Sequence, residues 1–170
     1  KPLPNLGESA LDLKVTRARP YQIALHYNNY NPPSIGSGKV KIDAWVRNLT
    51  GWGDKFDFLY SHSEGADNFA GGFNIPITPQ GTLFDFHFIV GESAIVEQPL
   101  DKANIRSKVR NFSWTVSHPV YKDTQQSLTL GLNYSNKRSQ TFLLNDSFSF
   151  LTGLDSDPTS ASVVRIFQEY

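Results

Sequence analysis

The stretch "GTLFDFHFIVGE", residues 81–92, sets Phe84, Phe86 and Phe88 at alternate positions with Asp85 and His87 between them. In an extended strand successive side chains leave opposite faces, so one side is a wall of rings and the other is charged. The fold turns on which medium each face meets. In a soluble sandwich the rings are core and the charges meet bulk water. In a membrane barrel the rings meet lipid and the charges line a wet lumen.

The rest of the chain narrows the choice. At 170 residues it is long enough for one domain with a sizeable core. Lys plus Arg equals Asp plus Glu at 16 each, so no net charge draws it to nucleic acid or anionic lipid. The absence of cysteine removes disulfides, thiolate metal sites and cysteine nucleophiles together. No apolar run approaches the roughly 20 residues of a membrane-spanning helix, and the N-terminus is not a basic, apolar, small-residue leader, so any signal peptide has been removed or lies upstream. Methionine is missing even at position 1, which points to a processed or excised piece. Aromatics are 13% of residues, 12 of them Phe, yet mean hydropathy is mildly negative. Apolar residues are therefore interleaved with polar ones. Pro, Gly and Asn break every window long enough for a helical period, so the chain reads as all-β.

Residues 1–19 read as a Pro/Gly-containing linker with one strand, "ALDLKV". Eight alternating segments follow. The first four are "PYQIALHYNNY", "KVKIDAWVRNLTG", "DKFDFLYSH" and "NFAGGFNIPI". The opening stretch is the fifth, and "NFSWTVSHPV" (Phe112, Trp114, Val116 and Val120 against Ser113, Thr115 and Ser117), "QSLTLGLNYS" and the less regular "SVVRIFQEY" complete the set. "NLTGWGD", "ITPQG" and "YKDTQ" read as tight turns; "NNYNPPSIGSG", "SHSEGAD", "ESAIVEQPLDKANIRS" and "NKRSQTFLLNDSFSFLTGLDSDPTSA" read as longer loops. Short turns at one end and mostly longer loops at the other suit an antiparallel up-and-down outer-membrane barrel. A closed meander also leaves no edge.

Alternation by itself allows a sandwich, but three details favour lipid. The polar faces mix small residues with single charges, the apolar faces are unusually aromatic, and the loops are asymmetric. Tyr27, Trp52, Tyr60 and Tyr134 fall near predicted strand ends, where an interfacial girdle sits. The rival from another class is a soluble sandwich that binds carbohydrate through Trp45, Trp52 and Trp114.

The order of motifs resembles two-partner secretion transporters, outer-membrane pores related to haemolysin and filamentous-haemagglutinin secretion proteins within the Omp85 superfamily. The carrying stretches are "ARPYQIALHYNN", "GSGKV", "NLTGWGDKFDF", "NIPITPQGTLF", "VEQPL", "SWTVSHPVYKDTQQSLTLGLNY" and "SVVRIFQEY", in sequence over nearly the whole chain. The resemblance implies the end of the last periplasmic POTRA domain and a linker over 1–19. It implies the N-terminal half of a sixteen-stranded barrel over 20–170. Its implied partners are an unfolded TpsA-like secreted exoprotein, the lipid bilayer and the barrel-assembly machinery, with no cofactor. The family's Val-Arg-Gly-aromatic tetrad is absent from this sequence. An eight-stranded closed barrel has an interior filled by side chains, with no room for a passenger. Three alternatives therefore remain beside the secretion pore: an Omp85-type insertion or import barrel, a small structural eight-stranded barrel, and the soluble sandwich.

Catalytic and metal chemistry is weakly signalled. His26, His62, His87 and His118 are too widely spaced for a local metal motif. His87 beside Asp85 has the makings of a base–carboxylate pair, but there is no G-x-S-x-G elbow to supply a nucleophile. "GSGK" at 36–39 lacks the spacing of a phosphate loop. Lys102, Arg106, Lys108 and Arg110 form a basic run that suits lipid headgroups or a lumen better than nucleic acid. On this phasing the candidate pore-lining residues are Lys41, Asp43, Arg47, Asp57, Asp85 and His87. The candidate lipid-facing residues are Ile23, Leu25, Ile42, Val46, Phe56, Phe58, Phe84, Phe86, Phe88 and Leu130.

Overall fold

A computed structural model describes residues 13–14, 18–148 and 158–170. Of the predicted "ALDLKV" strand, residues 10–15, only Leu13 and Lys14 are described, and neither is in a strand; the rest lies outside the described residues. Alternation becomes strand wherever it was expected in the described chain: β1 (Tyr21–Asn28), β2 (Lys39–Arg47), β3 (Lys55–Ser63), β4 (Ala66–Pro76), β5 (Leu83–Ala94), β6 (Arg106–Lys122) and β7 (Ser127–Leu143). Two more follow, β8 (Asp146–Phe148) and β9 (Thr159–Glu169). Every pairing is antiparallel and joins sequence neighbours, except that β9 pairs β7. β8 holds β7 at residues 141–143 and β9 holds it at 129–139. These two are successive stretches of one edge, so the sheet has the eight positions that the alternation predicts.

Among the described residues there is one layer and no second one. The substantial contacts all run between ladder neighbours, and Ala66 is the one buried hydrophobic residue among those described. Ile23 and Leu25 stay 75% and 72% exposed, and Ile166 84%. A sandwich hides one face of each sheet in a shared core, so that reading is set aside. Its proposed aromatic platform is also dispersed. Trp45 and Trp114 occupy opposite faces and Trp52 sits in the β2–β3 turn.

Two connections depart from expectation. "SHSEGAD" is a two-residue turn at Glu64 and Gly65, because β3 and β4 run right up to it. β7 continues through Leu143 and turns at Leu144 and Asn145, both with positive φ, as a two-residue hairpin favours. The stretch was read as loop because residues 136–140, "NKRSQ", are polar on both faces. Alternation reports a strand only where one face is apolar. In β6 the register shifts between Pro119 and Tyr121. The extra residue is Val120, so Tyr121 takes the apolar-face position that the alternation assigned to Val120.

The connections at the end opposite the β2–β3 turn are laced together. Gly65 N–H donates to Ile35 O (3.0 Å), Ala94 N–H to Gly65 O (2.7 Å), Val96 N–H to Ser34 O (2.9 Å) and Leu144 N–H to Ala103 O (3.0 Å). A side chain at Gly65 would press on Ala94 O and the Ile35 backbone. Glycine there permits the close approach.

Candidate functional site

Directly opposed residues in an antiparallel ladder share a face, so the register assembles each surface. Arg47, Lys55, Asn74, Asp85, Thr115, Asn133 and Arg165 form one continuous row across the sheet. Beside it runs a second row, Trp45, Asp57, Gly72, His87, Ser113, Ser135 and Val163. Two carboxylates on this face, Asp43 and Asp85, are paired with bases, and Arg165 is held by neutral groups. Asp43 Oδ1 lies 2.8 Å from His26 Nε2 and 3.1 Å from Lys41 Nζ. His87 Nε2 meets Asp85 at 2.9 Å, and Asn74 Nδ2 donates to the same carboxylate at 3.3 Å. Arg165 donates to Ser135 Oγ (3.2 Å) and Asn133 Oδ1 (3.4 Å), and Asn133 donates to Thr115 Oγ1 (2.8 Å). Arg47 lies over the Trp45 ring at 4.4 Å. Lys41, Asp43, Arg47, Asp57, Asp85 and His87 thus fall on one face.

The other face carries Tyr21, Val46, Phe56, Phe73, Phe86, Trp114, Tyr134 and Val164 in a single row. Its rings touch from strand to strand: Phe56–Phe73 at 5.8 Å, Phe73–Phe86 at 5.5 Å and Trp114–Tyr134 at 5.2 Å between centroids. Phe58 meets Phe69 edge-on at 4.8 Å. These distances lie in the range in which aromatic pairs attract beyond their area. Ile23, Leu25, Ile42, Val46, Phe56, Phe58, Phe84, Phe86, Phe88 and Leu130 all belong to this face. Tyr134 is mid-strand rather than at a strand end, since β7 outlasts its apolar run. It still closes that run, before Asn136.

The β2–β3 turn, residues 48–54, is organised by Asp54, which is 1% exposed. Its carboxylate accepts from Leu49 N–H (2.9 Å), Thr50 N–H (3.0 Å) and the Thr50 hydroxyl. Asn48, at positive φ, accepts from Gly53 N–H at 2.8 Å. The Thr50 hydroxyl bond, with the two backbone N–H groups, outweighs burial and holds the Asp54 carboxyl below its ordinary 3.8. A lowered folded-state pKa stabilises above the ordinary value and the benefit is lost as pH falls through the folded one. Asp54→Asn is therefore expected to lower the thermal unfolding midpoint at neutral pH. The gap from wild type should close as pH falls below 3.8; a gap constant with pH would mean the charge is irrelevant.

The model of the family described as "Haemolysin secretion/activation protein ShlB/FhaC/HecB" matches residues 7–150. The chain belongs to that family. The curated proteins include no match to it. Among solved structures it is similar to "CdiB from Escherichia coli", with a TM-score of 0.69 and 18% identity over 91% of this chain. At that identity the likeness speaks for the fold, an up-and-down antiparallel sheet like part of a barrel. The ShlB/FhaC/HecB chain spans 28% of the length of that solved structure. The family is one of two-partner secretion transporters, and it places the chain in the outer membrane of Gram-negative bacteria. Among the described residues β1 pairs only with β2 and β9 only with β7, so the sheet is open at both edges.

Lys55, Asn74, Thr115, Asn133 and Arg165 are not among the six candidate pore-lining residues, although strand parity puts each on the polar face, as alternation predicts for Thr115. Arg165 was legible as the polar residue between Val164 and Ile166. Ser113 is directly across the ladder from His87. The pair does not make a catalytic relay. His87 Nε2 is engaged by Asp85, its Nδ1 edge lies over Gly72, and no hydrogen bond joins it to Ser113. At residues 36–39 the chain leaves a single 3-10 turn (Pro33–Ile35) and enters β2, so no helix follows to bind phosphate.

Proposed function

We propose that this sheet is part of the wall of an outer-membrane pore through which an unfolded partner exoprotein reaches the cell surface. The observation that carries it is the two-faced single layer: a continuous aromatic wall opposite a continuous row of charges, amides and hydroxyls. In lipid the first face needs no cover. The second needs water, which a lumen supplies. Lys41, Asp43, Arg47, Asp57, Asp85 and His87 line the lumen; the phenylalanine face, with Ile23, Leu25, Ile42, Val46 and Leu130, meets the bilayer.

Residues 20–170 supply the N-terminal part of the barrel, and residues 1–19 lead into it from the last periplasmic domain. Unpaired edges have no water to satisfy them in hydrocarbon, so further strands must join β1 and β9. The barrel-assembly machinery is the agent that would bring them together. Transport is passive, with no catalytic step by this chain, and folding of the exoprotein outside gives it direction. The ends of β1, β3, β5 and β7 then face the cell surface.

A photo-crosslinking residue placed at position 87 or 86 of the full-length transporter tests this during secretion. Position 87 is expected to capture the exoprotein and position 86 lipid. Capture of the exoprotein at 86 but not at 87 would reverse the faces, and capture at neither would remove the passenger from this wall.

A further inference from the structure

The basic run of β6 has an orientation that alternation alone left open. Arg106, Lys108 and Arg110 have the parity of Phe112 and Trp114, so they stand on the aromatic face and not on the polar one. β6 and β7 are 17 residues each, whereas a tilted strand crosses hydrocarbon in roughly 9–11. Their apolar runs end at Phe112 and Tyr134, and the basic residues come immediately beyond, toward the β5–β6 loop. That is headgroup depth.

Arg110 lies directly opposite Arg138 in the β6–β7 ladder. Like charges so placed repel, and the nearby acids are already engaged. Glu92 pairs with Lys108 at 3.3 Å, and Asp67 is held by His62 and the Tyr60 hydroxyl at 2.8 Å each. Among the described residues no carboxylate forms an ion pair with either arginine. Lys108, Arg110, Arg138 and Gln140 surround a recess of about 140 Å³. An adjoining groove of about 260 Å³ runs along Phe69 and Val90 to Arg110. A groove with Phe69 and Val90 on its floor, its two acids Asp67 and Glu92 already engaged, leads to two forked cations, which matches an acyl chain ending in a phosphate.

We infer that the outer wall at β6–β7 holds a phosphate-bearing lipid of the surrounding leaflet, its phosphate bridging Arg110 and Arg138 and its chain lying over Phe69 and Val90. The inference rests on the reading of the aromatic face as lipid-facing. Headgroup binding relieves the arginine repulsion and ties β6 to β7 above the hydrocarbon.

The test uses the full-length transporter in detergent, with native mass spectrometry after addition of diphosphoryl lipid A, phosphatidylcholine or inorganic phosphate. One lipid A is expected to stay bound to the wild type, with phosphatidylcholine and inorganic phosphate retained at least tenfold less. Arg110→Gln/Arg138→Gln should lose lipid A at least tenfold, and each single substitution should lose part of that, which guards against a double variant that does not fold. Lys137→Gln, one position from Arg138 on the other face, should change nothing. Equal retention by the arginine variants overturns the inference and leaves the face assignment standing. Loss on Lys137→Gln instead overturns the face assignment itself. Retention of inorganic phosphate as strongly as lipid A makes the recess a free-anion site and also overturns the inference.

Discussion

Phe86→Arg in the full-length transporter is expected to block assembly in the outer membrane, whereas Asp85→Arg, one residue away, leaves assembly intact and changes the pore. Phe86 sits within the Phe73, Phe88 and Trp114 cluster, with centroids 5.5 Å from Phe73 and 6.3 Å from Phe88. A lipid-facing Arg costs about 2–4 kcal/mol at the bilayer midplane. Each lost ring pair adds about 0.5–1.5 kcal/mol. Against native stabilities of only about 5–15 kcal/mol, that is a large share. At position 85 the same charge enters the polar row, between Asn74 and Thr115. It frees His87 from its carboxylate and joins Arg47, Lys55 and Arg165 in a surplus of cations. Single-channel current should shift toward anion selectivity with the folded yield unchanged. The checks are the heat-shifted band of the folded barrel and the reversal potential in a salt gradient. If both variants assemble alike, the face assignment is wrong.

Gly72→Val is expected to damage the polar face without touching the aromatic one. Gly72 opposes His87, and an added Cβ would meet the imidazole and, at 2.7 Å, the Phe86 carbonyl oxygen. The ring can swing away; the backbone oxygen cannot move without opening the β4–β5 ladder. Overpacking of this kind costs about 1–3 kcal/mol. A displaced imidazole also gives up the 2.9 Å contact with Asp85. The expected result is a lower unfolding temperature together with altered conductance, while Gly51→Ala is the matched glycine control at a site with no neighbour within 4 Å. Since Gly51 has φ +89, that control carries backbone strain alone. An unfolding temperature for Gly72→Val no lower than wild type's would mean that the ring and ladder have room to yield.

The face of nearly every membrane-spanning residue was legible because the pleat has a period of two and one of the two faces is apolar. Phe84, Phe86 and Phe88 required no structure to be set apart from Asp85 and His87. The same rule ran out where both faces are polar. Residues 136–140 of β7 carry no apolar stripe, so a strand there looked like a loop, and the turn at Glu64 and Gly65 looked longer than it is for the same reason. Val120 was misassigned because a bulge leaves no mark in an alternating sequence.

Sequence by itself determined the fold class, the order of strands and the two faces, all of which follow from local parity and from turns between neighbours. Only the tertiary structure decided who meets whom across the strands. Register depends on hairpin geometry and on the bulge between Pro119 and Tyr121, and a slip by even numbers keeps every face while changing every partner. It is register that puts Ser113 beside His87 and joins Arg165 to Asn133 and Ser135. It is register, too, that sets Arg110 against Arg138 on the aromatic face, a pairing that no local parity could have announced.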